Sequence, residues 1–383
     1  MNCQHKLFVS EEIVINILNR LPLKSLARFE CVSKNWQKVI AEVYRNRLRW
    51  PKPYQIGFFF VERRSQSRFF FSSKESPLLV GAILDKSINF IGERVYIVSS
   101  SNGFLLCNKL RSRQRVYYVY NPATRQRLDL PKTQICMKDP YVGFTCKVDE
   151  DNSVSFTIVR YETPPSTWHE LQYYLIIESF SSEANVWTAN KQILDVPLQL
   201  YPSRDKISSS SSGVVDGVFF WLDNSGERMT VFDSVEKSFW AFVLPEWRTP
   251  NYLNSCCLGF TGGELCFAYN RLNIITCWRL INFRSRDNAV WVWKYVVDVT
   301  DIFQKCSEDF GLGGGSNLGM EVQNMVFHPV LPCILYLQIR GKVIVCDVST
   351  RVVELVYDFG EAWRKTHEYK LFSYEWTQWP RLL

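Results

Sequence analysis

The residue types that do chemistry are present in this 383-residue chain, but not in working combinations. Its four histidines, His5, His169, His328 and His367, stand far apart in the sequence. None belongs to an HExxH pattern, and no G-x-S-x-G elbow presents a nucleophile. Gly311-Leu312-Gly313-Gly314-Gly315-Ser316 is glycine-rich. No Gly-Lys-Ser/Thr follows it to cradle a phosphate, so it reads as a loop, as does the polar run Ser208–Ser212. Twelve cysteines are scattered from Cys3 to Cys346 without a CxxC pair, and the adjacent Cys256 and Cys257 are poorly placed to bridge one another. Most lie in apolar runs such as Leu265-Cys266-Phe267, which fits buried, reduced thiols. These patterns predict no catalytic residue, no metal site and no cofactor.

Recognition chemistry is better represented. Residues 1–50 hold nine Lys/Arg against four Glu, which is +5 of the net +7, so the rest of the chain is nearly neutral. A basic small segment suggests an acidic partner or nucleic acid. Arg111, Arg113, Arg115, Arg125 and Arg127 alternate with Tyr117, Tyr118 and Tyr120, the ingredients of a phosphate-and-stacking surface. A charged hairpin with an inward aromatic face has the same pattern, and the neutral bulk favours it, so nucleic acid is not the expected partner. Large aromatic residues on loops are natural anchors for a protein. Trp168, Tyr201, Trp247 and Trp363 are the candidates for substrate binding, with Trp376 and Trp379 behind them.

Two kinds of element must position these groups. Over residues 8–49, Ile13, Val14, Ile17, Leu18 and Leu21 recur at helical spacing behind Ser10, a plausible N-cap. Pro22 ends that helix and suits the first turn of a second, whose apolar face is Leu23, Leu26 and Ala27. Ser33 can cap a third, in which Trp36, Val39, Ile40, Val43 and Arg47 share a face. Ile13 and Ile17 are expected to be partly core. Three short helices bury too little surface to be robust alone, so they need a partner or the next domain.

After Trp50-Pro51-Lys52-Pro53 the texture becomes short aromatic and β-branched runs broken by Gly, Asn, Asp and Ser, which is strand patterning. Ile56–Val61 and Arg68–Phe71 form the arms of a hairpin, and Val116–Tyr120, Val154–Tyr161, Tyr173–Ile177, Val214–Leu222, Met229–Phe232 and Val290–Val297 are further strands. One short helix is expected near Glu361–Lys365. A strand–turn–strand unit recurs: Val119-Tyr120-Asn121-Pro122-Ala123-Thr124-Arg125, Val231-Phe232-Asp233-Ser234-Val235-Glu236-Lys237, Val345-Cys346-Asp347-Val348-Ser349-Thr350-Arg351, and more loosely Ile177–Trp187. Asn or Asp opens the turn, and a cation precedes the return strand. Gly-led strands stand upstream at Asn102-Gly103-Phe104 and Asp216-Gly217-Val218. Aligning Asn121, Ser179, Asp233 and Asp347 gives steps of 58, 54 and 114 residues, the last being two periods. Such a period predicts propeller blades, about six over residues 54–383, with a β-sandwich as the alternative.

Leu21-Pro22-Leu23-Lys24-Ser25-Leu26-Ala27-Arg28-Phe29 followed by Cys31-Val32-Ser33-Lys34-Asn35-Trp36 resembles the F-box. The order Ser99-Ser100-Ser101-Asn102-Gly103-Phe104-Leu105-Leu106-Cys107, Val119-Tyr120-Asn121-Pro122-Ala123-Thr124-Arg125 and Leu130-Pro131, then Val215-Asp216-Gly217-Val218-Phe219-Phe220-Trp221, is similar to the kelch-like domain found beside plant F-boxes. The resemblance implies a three-helix F-box over 1–50 and a large all-β domain over 51–383, a six-bladed kelch-like β-propeller. It implies a non-catalytic substrate-recognition subunit of an SCF-type ubiquitin ligase. The F-box would dock a Skp-type adaptor, and through it cullin, by Ile13, Ile17, Pro22, Leu23, Leu26, Val32 and Trp36, and the β domain would hold a target protein. The chain departs from the F-box pattern where Phe8-Val9-Ser10-Glu11 replaces the usual Leu-Pro-x-Asp/Glu. The alternatives are a scaffold outside the ligase with a degenerate F-box, or a nucleic-acid binder. Met1–Arg20 has no apolar signal core, and no run reaches the ~20 apolar residues of a membrane helix, so a cytoplasmic or nuclear protein without a membrane partner is expected.

Overall fold

In a computed structural model of the chain, the structure describes residues 11–18, 23–30, 32–47, 55–62, 68–72, 95–111, 114–122, 126–137, 140–149, 153–162, 171–198, 212–223, 227–245, 256–271, 273–300, 302, 322–328, 331–339, 341–358 and 369–375. Three helices come first, α1 (Glu11–Leu18), α2 (Leu23–Glu30) and α3 (Lys34–Arg47). Ser33 caps α3 as its type predicts: its Oγ accepts from Trp36 N at 3.3 Å and its carbonyl from Gln37 N at 3.0 Å. Leu18, Leu26, Val39, Ile40 and Val43 converge in a small core, and Phe29 stacks on Trp36 at 5.2 Å.

Beyond α3 the described elements are strands, apart from helical residues at Thr300 and Ile302. β1 (Gln55–Glu62) and β2 (Arg68–Ser72) are the antiparallel arms expected from their phenylalanine runs. Five four-stranded antiparallel sheets follow in chain order. The first holds β3 (Val95–Ser101), β4 (Phe104–Arg111), β5 (Gln114–Asn121) and β6 (Gln126–Asp129). The second holds β7 (Tyr141–Val148), β8 (Val154–Glu162), β9 (Gln172–Ser181) and β10 (Val186–Leu198). The third holds β11 (Ser212–Val215), β12 (Val218–Leu222), β13 (Arg228–Asp233) and β14 (Ser238–Val243). The fourth holds β15 (Cys256–Thr261), β16 (Glu264–Arg271), β17 (Ile274–Ile281) and β18 (Val290–Asp298). The fifth holds β19 (Val322–Phe327), β20 (Ile334–Ile339), β21 (Lys342–Asp347) and β22 (Val352–Asp358). β23 (Tyr369–Glu375) then pairs with β1.

The first strands β3, β7, β11, β15 and β19 lie side by side in that order, and β23 sits between β19 and β3, which closes a ring. This is a β-propeller. The expected six blades are corrected to five four-stranded blades. The remaining place in the ring is filled by a three-stranded sheet, β2-β1-β23, built from both ends of the β region. The described strands of residues 54–94 supply only two of its strands, and the third comes from the far end of the chain.

The repeat has a defined place. Asn121↔Gln126, Ser181↔Val186, Asp233↔Ser238 and Asp347↔Val352 each close a four-residue loop joining the third to the outermost strand of a blade. The looser copy therefore aligns on Ser181 rather than Ser179. Asp233 Oδ1 accepts from Val235 N at 2.8 Å and Glu236 N at 3.1 Å, and Asp347 Oδ1 from Ser349 N at 2.9 Å and Thr350 N at 3.3 Å. Burial disfavours the charged Asp347 carboxylate, but these hydrogen bonds outweigh it and hold its pKa below the usual range. The cation that follows takes the left-handed turn, at φ 52° in Lys237 and 56° in Arg351. In the fourth blade the same connection is lengthened to residues 282–289, between Ile281 and Val290, and the repeat is lost there.

The first two strands of a blade are joined by two-residue turns at Asn102-Gly103, Asp216-Gly217 and Gly262-Gly263, all with positive φ, the type I′ geometry that matches strand twist. The single strand expected over Val214–Leu222 is thus two, β11 and β12, folded back at Asp216-Gly217. Its unbroken apolar run misleads because each blade is buried on both faces. Phe104, Tyr117, Phe144 and Trp187 fill the layer between the first two blades, Tyr161, Phe219 and Trp221 the next, and Phe220, Trp240 and Phe267 the third. The helix expected near Glu361–Lys365 lies outside the described residues.

Candidate protein-interaction surfaces

The helices leave an apolar stripe uncovered. Ile13 and Ile17, one turn apart on α1, are 53% and 54% exposed, and Val32, before α3, is 62% exposed. The two isoleucines are about half exposed, and Leu18 fills the inward face of α1 with Val14 and Ile15 beside it. Leu26 differs from them. It is wholly enclosed by α1 and α3 and offers no surface to a partner, since the α2 face that carries it is the one packed inward. Trp36 is half-buried against Phe29. Pro22 and the Leu23 side chain lie outside the described residues.

Strand direction sorts the propeller loops. Antiparallel order puts the first-to-second and third-to-fourth turns of every blade on one face, and the remaining connections on the other. Trp168, Tyr201, Trp247 and Trp363 lie outside the described residues. The strand ends flanking them, from β8 to β9, β10 to β11, β14 to β15 and β22 to β23, all open on the second face. On that side the second blade exposes Leu171, Tyr173, Tyr174 and Ile193, with Tyr174 opposite Ile193 in the ladder and Lys191 Nζ 3.9 Å from the Tyr174 ring centre. Sequence reasoning missed this patch. Its signal was the Tyr173-Tyr174 doublet, since neighbouring residues of a strand point to opposite faces and two adjacent tyrosines need two covers.

The arginine–tyrosine segment is not a stacking surface. Tyr117, Tyr118 and Tyr120 are buried, and Arg127 pairs with Asp129 while its guanidinium lies 4.2 Å from the Tyr118 ring centre. Arg113 and Arg125 lie outside the described residues, as do the side chains of Arg111 and Arg115. Rings turned into the blade cannot receive bases, which removes the geometric basis of the nucleic-acid alternative.

Comparison with known proteins matches both halves of this architecture. Residues 9–48 match the F-box domain, and residues 77–377 match the family described as F-box protein At3g26010-like, beta-propeller. The chain belongs to that F-box propeller family. Among curated proteins of Arabidopsis thaliana, it is 22% identical to F-box protein At5g03970 over 98% of this chain and 90% of that one. It is 26% identical to F-box protein At3g26010 itself, over 75% and 68% respectively, and 26% identical to F-box protein At5g49610, over 64% and 67%.

Proteins that join an F-box to a β-propeller are typical of substrate receptors. His328, the described histidine, is fully buried and accepts from Leu331 N at 2.9 Å through Nδ1. Burial pushes its pKa down to about 4, so it is a neutral structural group. Among the described residues no helix is long and apolar enough to cross a membrane, and no three His, Cys, Asp or Glu side chains gather as metal ligands.

Proposed function

We propose that this chain is the substrate-recognition subunit of a Skp–cullin–F-box ubiquitin ligase acting in the cytoplasm or nucleus. The observation that carries the reading is the joining, in one chain, of an F-box whose Ile13, Ile17 and Val32 are exposed to a propeller whose second blade exposes Tyr173, Tyr174 and Ile193. F-box domains generally bind Skp-type adaptors, and the basic excess of residues 1–50 suits an acidic one. The adaptor contact would use Ile13, Ile17 and Val32 with the rim of Trp36. The target would be held on the face that carries Tyr173, Tyr174 and Ile193. The protein contributes position: it raises the effective concentration of a target lysine near the activated ubiquitin and needs no catalytic group of its own.

The test is co-purification of the full chain with a Skp-type adaptor, with and without Ile13→Asp and Ile17→Asp together. Retention of wild-type protein and loss of the double variant are expected. Unchanged capture of the variant, or no capture of wild type, overturns the reading.

A further inference from the structure

The fourth blade contains a connected set of ionisable groups that adaptor or target binding does not use. Cys257, Cys266 and Cys277 lie on one face of β15, β16 and β17, in the layer packed against the fifth blade. In the β16–β17 ladder Cys266 pairs with Arg279, and Ala268 with Cys277, so the two cysteines are diagonal neighbours. Their thiols interact, and Cys277 Sγ also lies 3.8 Å from Trp278 O, its hydrogen-bond acceptor. On the outer side, Lys294 Nζ lies 3.6 Å from Cys266 Sγ and donates to Glu264 Oε2 at 2.7 Å. Arg279 pairs with the other oxygen of the same carboxylate. On the inner side, the Tyr295 hydroxyl is hydrogen-bonded to Cys277 and reaches Pro332 O at 3.5 Å.

Lys294 owes this position to an irregularity. The β17–β18 register shifts between Cys277↔Tyr295 and Trp278↔Trp293, which leaves Lys294 as the extra residue of a bulge. A bulge re-aims a side chain, and here it turns an ammonium group from an edge strand toward a buried sulfur. A charged lysine placed there stabilises a thiolate. Consistent with that, the interaction with Cys277, aided by Lys294, holds the Cys266 pKa below that of an ordinary thiol despite burial, while Cys277 is held above it.

We propose that Cys266 and Cys277 form a peroxide-oxidisable dithiol, with Cys266 as the attacking sulfur and Lys294 as its positioning residue. The Cys266 thiolate attacks the terminal oxygen of hydrogen peroxide. The O–O bond breaks, Cys266 becomes a sulfenic acid, and the departing hydroxide takes a proton to leave as water. The Cys277 sulfur then attacks the Cys266 sulfur. The S–O bond breaks, and the hydroxyl leaves as water with the Cys277 proton. Two thiols lose two electrons and two protons, and one peroxide becomes two waters. Diagonal neighbours are further apart than directly paired residues, so the bridge draws β16 and β17 together and is readily reversed by thiol reductants.

The experiment treats the native full chain with hydrogen peroxide and maps cysteine products by mass spectrometry over time. A Cys266–Cys277 linked peptide is expected, forming at least tenfold faster than any product at Cys107 or Cys346, which are equally buried. In Cys277→Ser the sulfenic acid should persist and be trapped at Cys266 by dimedone. Lys294→Met should slow the step and move the inflection of its rate-against-pH profile upward, while Lys294→Arg should retain it. The proposal is overturned if the pair stays reduced when exposed Cys136 is fully oxidised. It is equally overturned if the link forms only in urea, or if Lys294→Met, folded by its thermal melt, reacts as wild type. If Lys294→Met does not fold, the wild-type comparison and Lys294→Arg still decide.

Discussion

Arg160 on β8 and Glu178 on β9 face each other across the second blade with neither side chain in contact with solvent, and Arg160 Nε donates to Glu178 Oε2 at 2.7 Å. The pair does more than neutralise itself. Glu178 Oε1 accepts from Gln134 N, Arg160 donates to Ile135 O, and Trp187 Nε1 donates to Pro131 O at 2.9 Å. The guanidinium also lies 5.4 Å from the Trp187 ring centre. A buried ion pair thereby fastens the segment that leads from the first blade to the second. Removing one partner leaves the other charged and desolvated, so Glu178→Gln or Arg160→Met should each cost about 3–5 kcal/mol. Arg160→Met combined with Glu178→Leu should recover part of that loss, but not the backbone contacts at Gln134 and Ile135. Urea unfolding of the three variants checks this, and additive losses would show that the charges are not coupled.

His328 should make stability depend on acid. Its folded pKa of about 4 lies below the ordinary value of 6.5. Between these values the unfolded chain binds the extra proton, so stability is full above pH 6.5 and falls as pH drops toward 4. One proton gives a slope of at most about 1.4 kcal/mol per pH unit. His328→Asn keeps an acceptor for Leu331 N and removes the titration. The difference between wild type and variant unfolding, measured from pH 7 to 4, should shrink steadily with acidity. A pH-independent difference would refute the assignment.

Gly143 is required by packing. A Cβ there would overlap Phe219 Cδ1 and stand 3.0 Å from Trp221 Cζ2, two rings stacked 5.9 Å apart in the adjoining blade. Neither ring is free to retreat, since Tyr161 packs edge-on against Trp221 at 5.1 Å. Gly143→Ala should therefore cost about 1–3 kcal/mol, readable as a lowered thermal midpoint. A neutral result would mean that the blades separate more easily than their packing implies.

The outer hairpins should rank by their acceptors. Asp233→Ala and Asp347→Ala each strip two backbone N–H groups of a carboxylate partner and should cost about 1–2 kcal/mol, with Asn in place of Asp recovering most of it. Glu183→Ala, in the copy that opens on Ser181 with an exposed acid, should stay within about 0.5 kcal/mol of wild type. Chemical unfolding distinguishes these outcomes.

On the F-box, surface and core should separate cleanly. Ile13→Asp with Ile17→Asp should abolish adaptor capture with little change in the thermal midpoint, because both side chains are more than half exposed. Leu26→Ala should lower stability by about 2–5 kcal/mol, since it empties an enclosed site, and should weaken capture only as folding fails. The reverse pattern in melts and pull-downs would return Leu26 to the contact surface.

The sequence by itself determined the local grammar of this protein. The Ser33 cap, the Asp233 and Asp347 turns and the Gly-led hairpins are decided by residues within a few positions of one another, and their motifs carried the F-box and propeller likeness. Tertiary structure decided the rest. Whether Ile13 or Leu26 faces water depends on where α3 packs, and a helical stripe names a face without naming its cover. The ring was counted from its period, yet closure depends on β1 meeting β23 across some 300 residues, and no local pattern specifies that pairing. The Arg160–Glu178 pair and the Cys266–Cys277–Lys294 set are likewise products of register and a bulge. Propeller blades are buried on both faces, so their strands lose the alternation that would show which side chains meet.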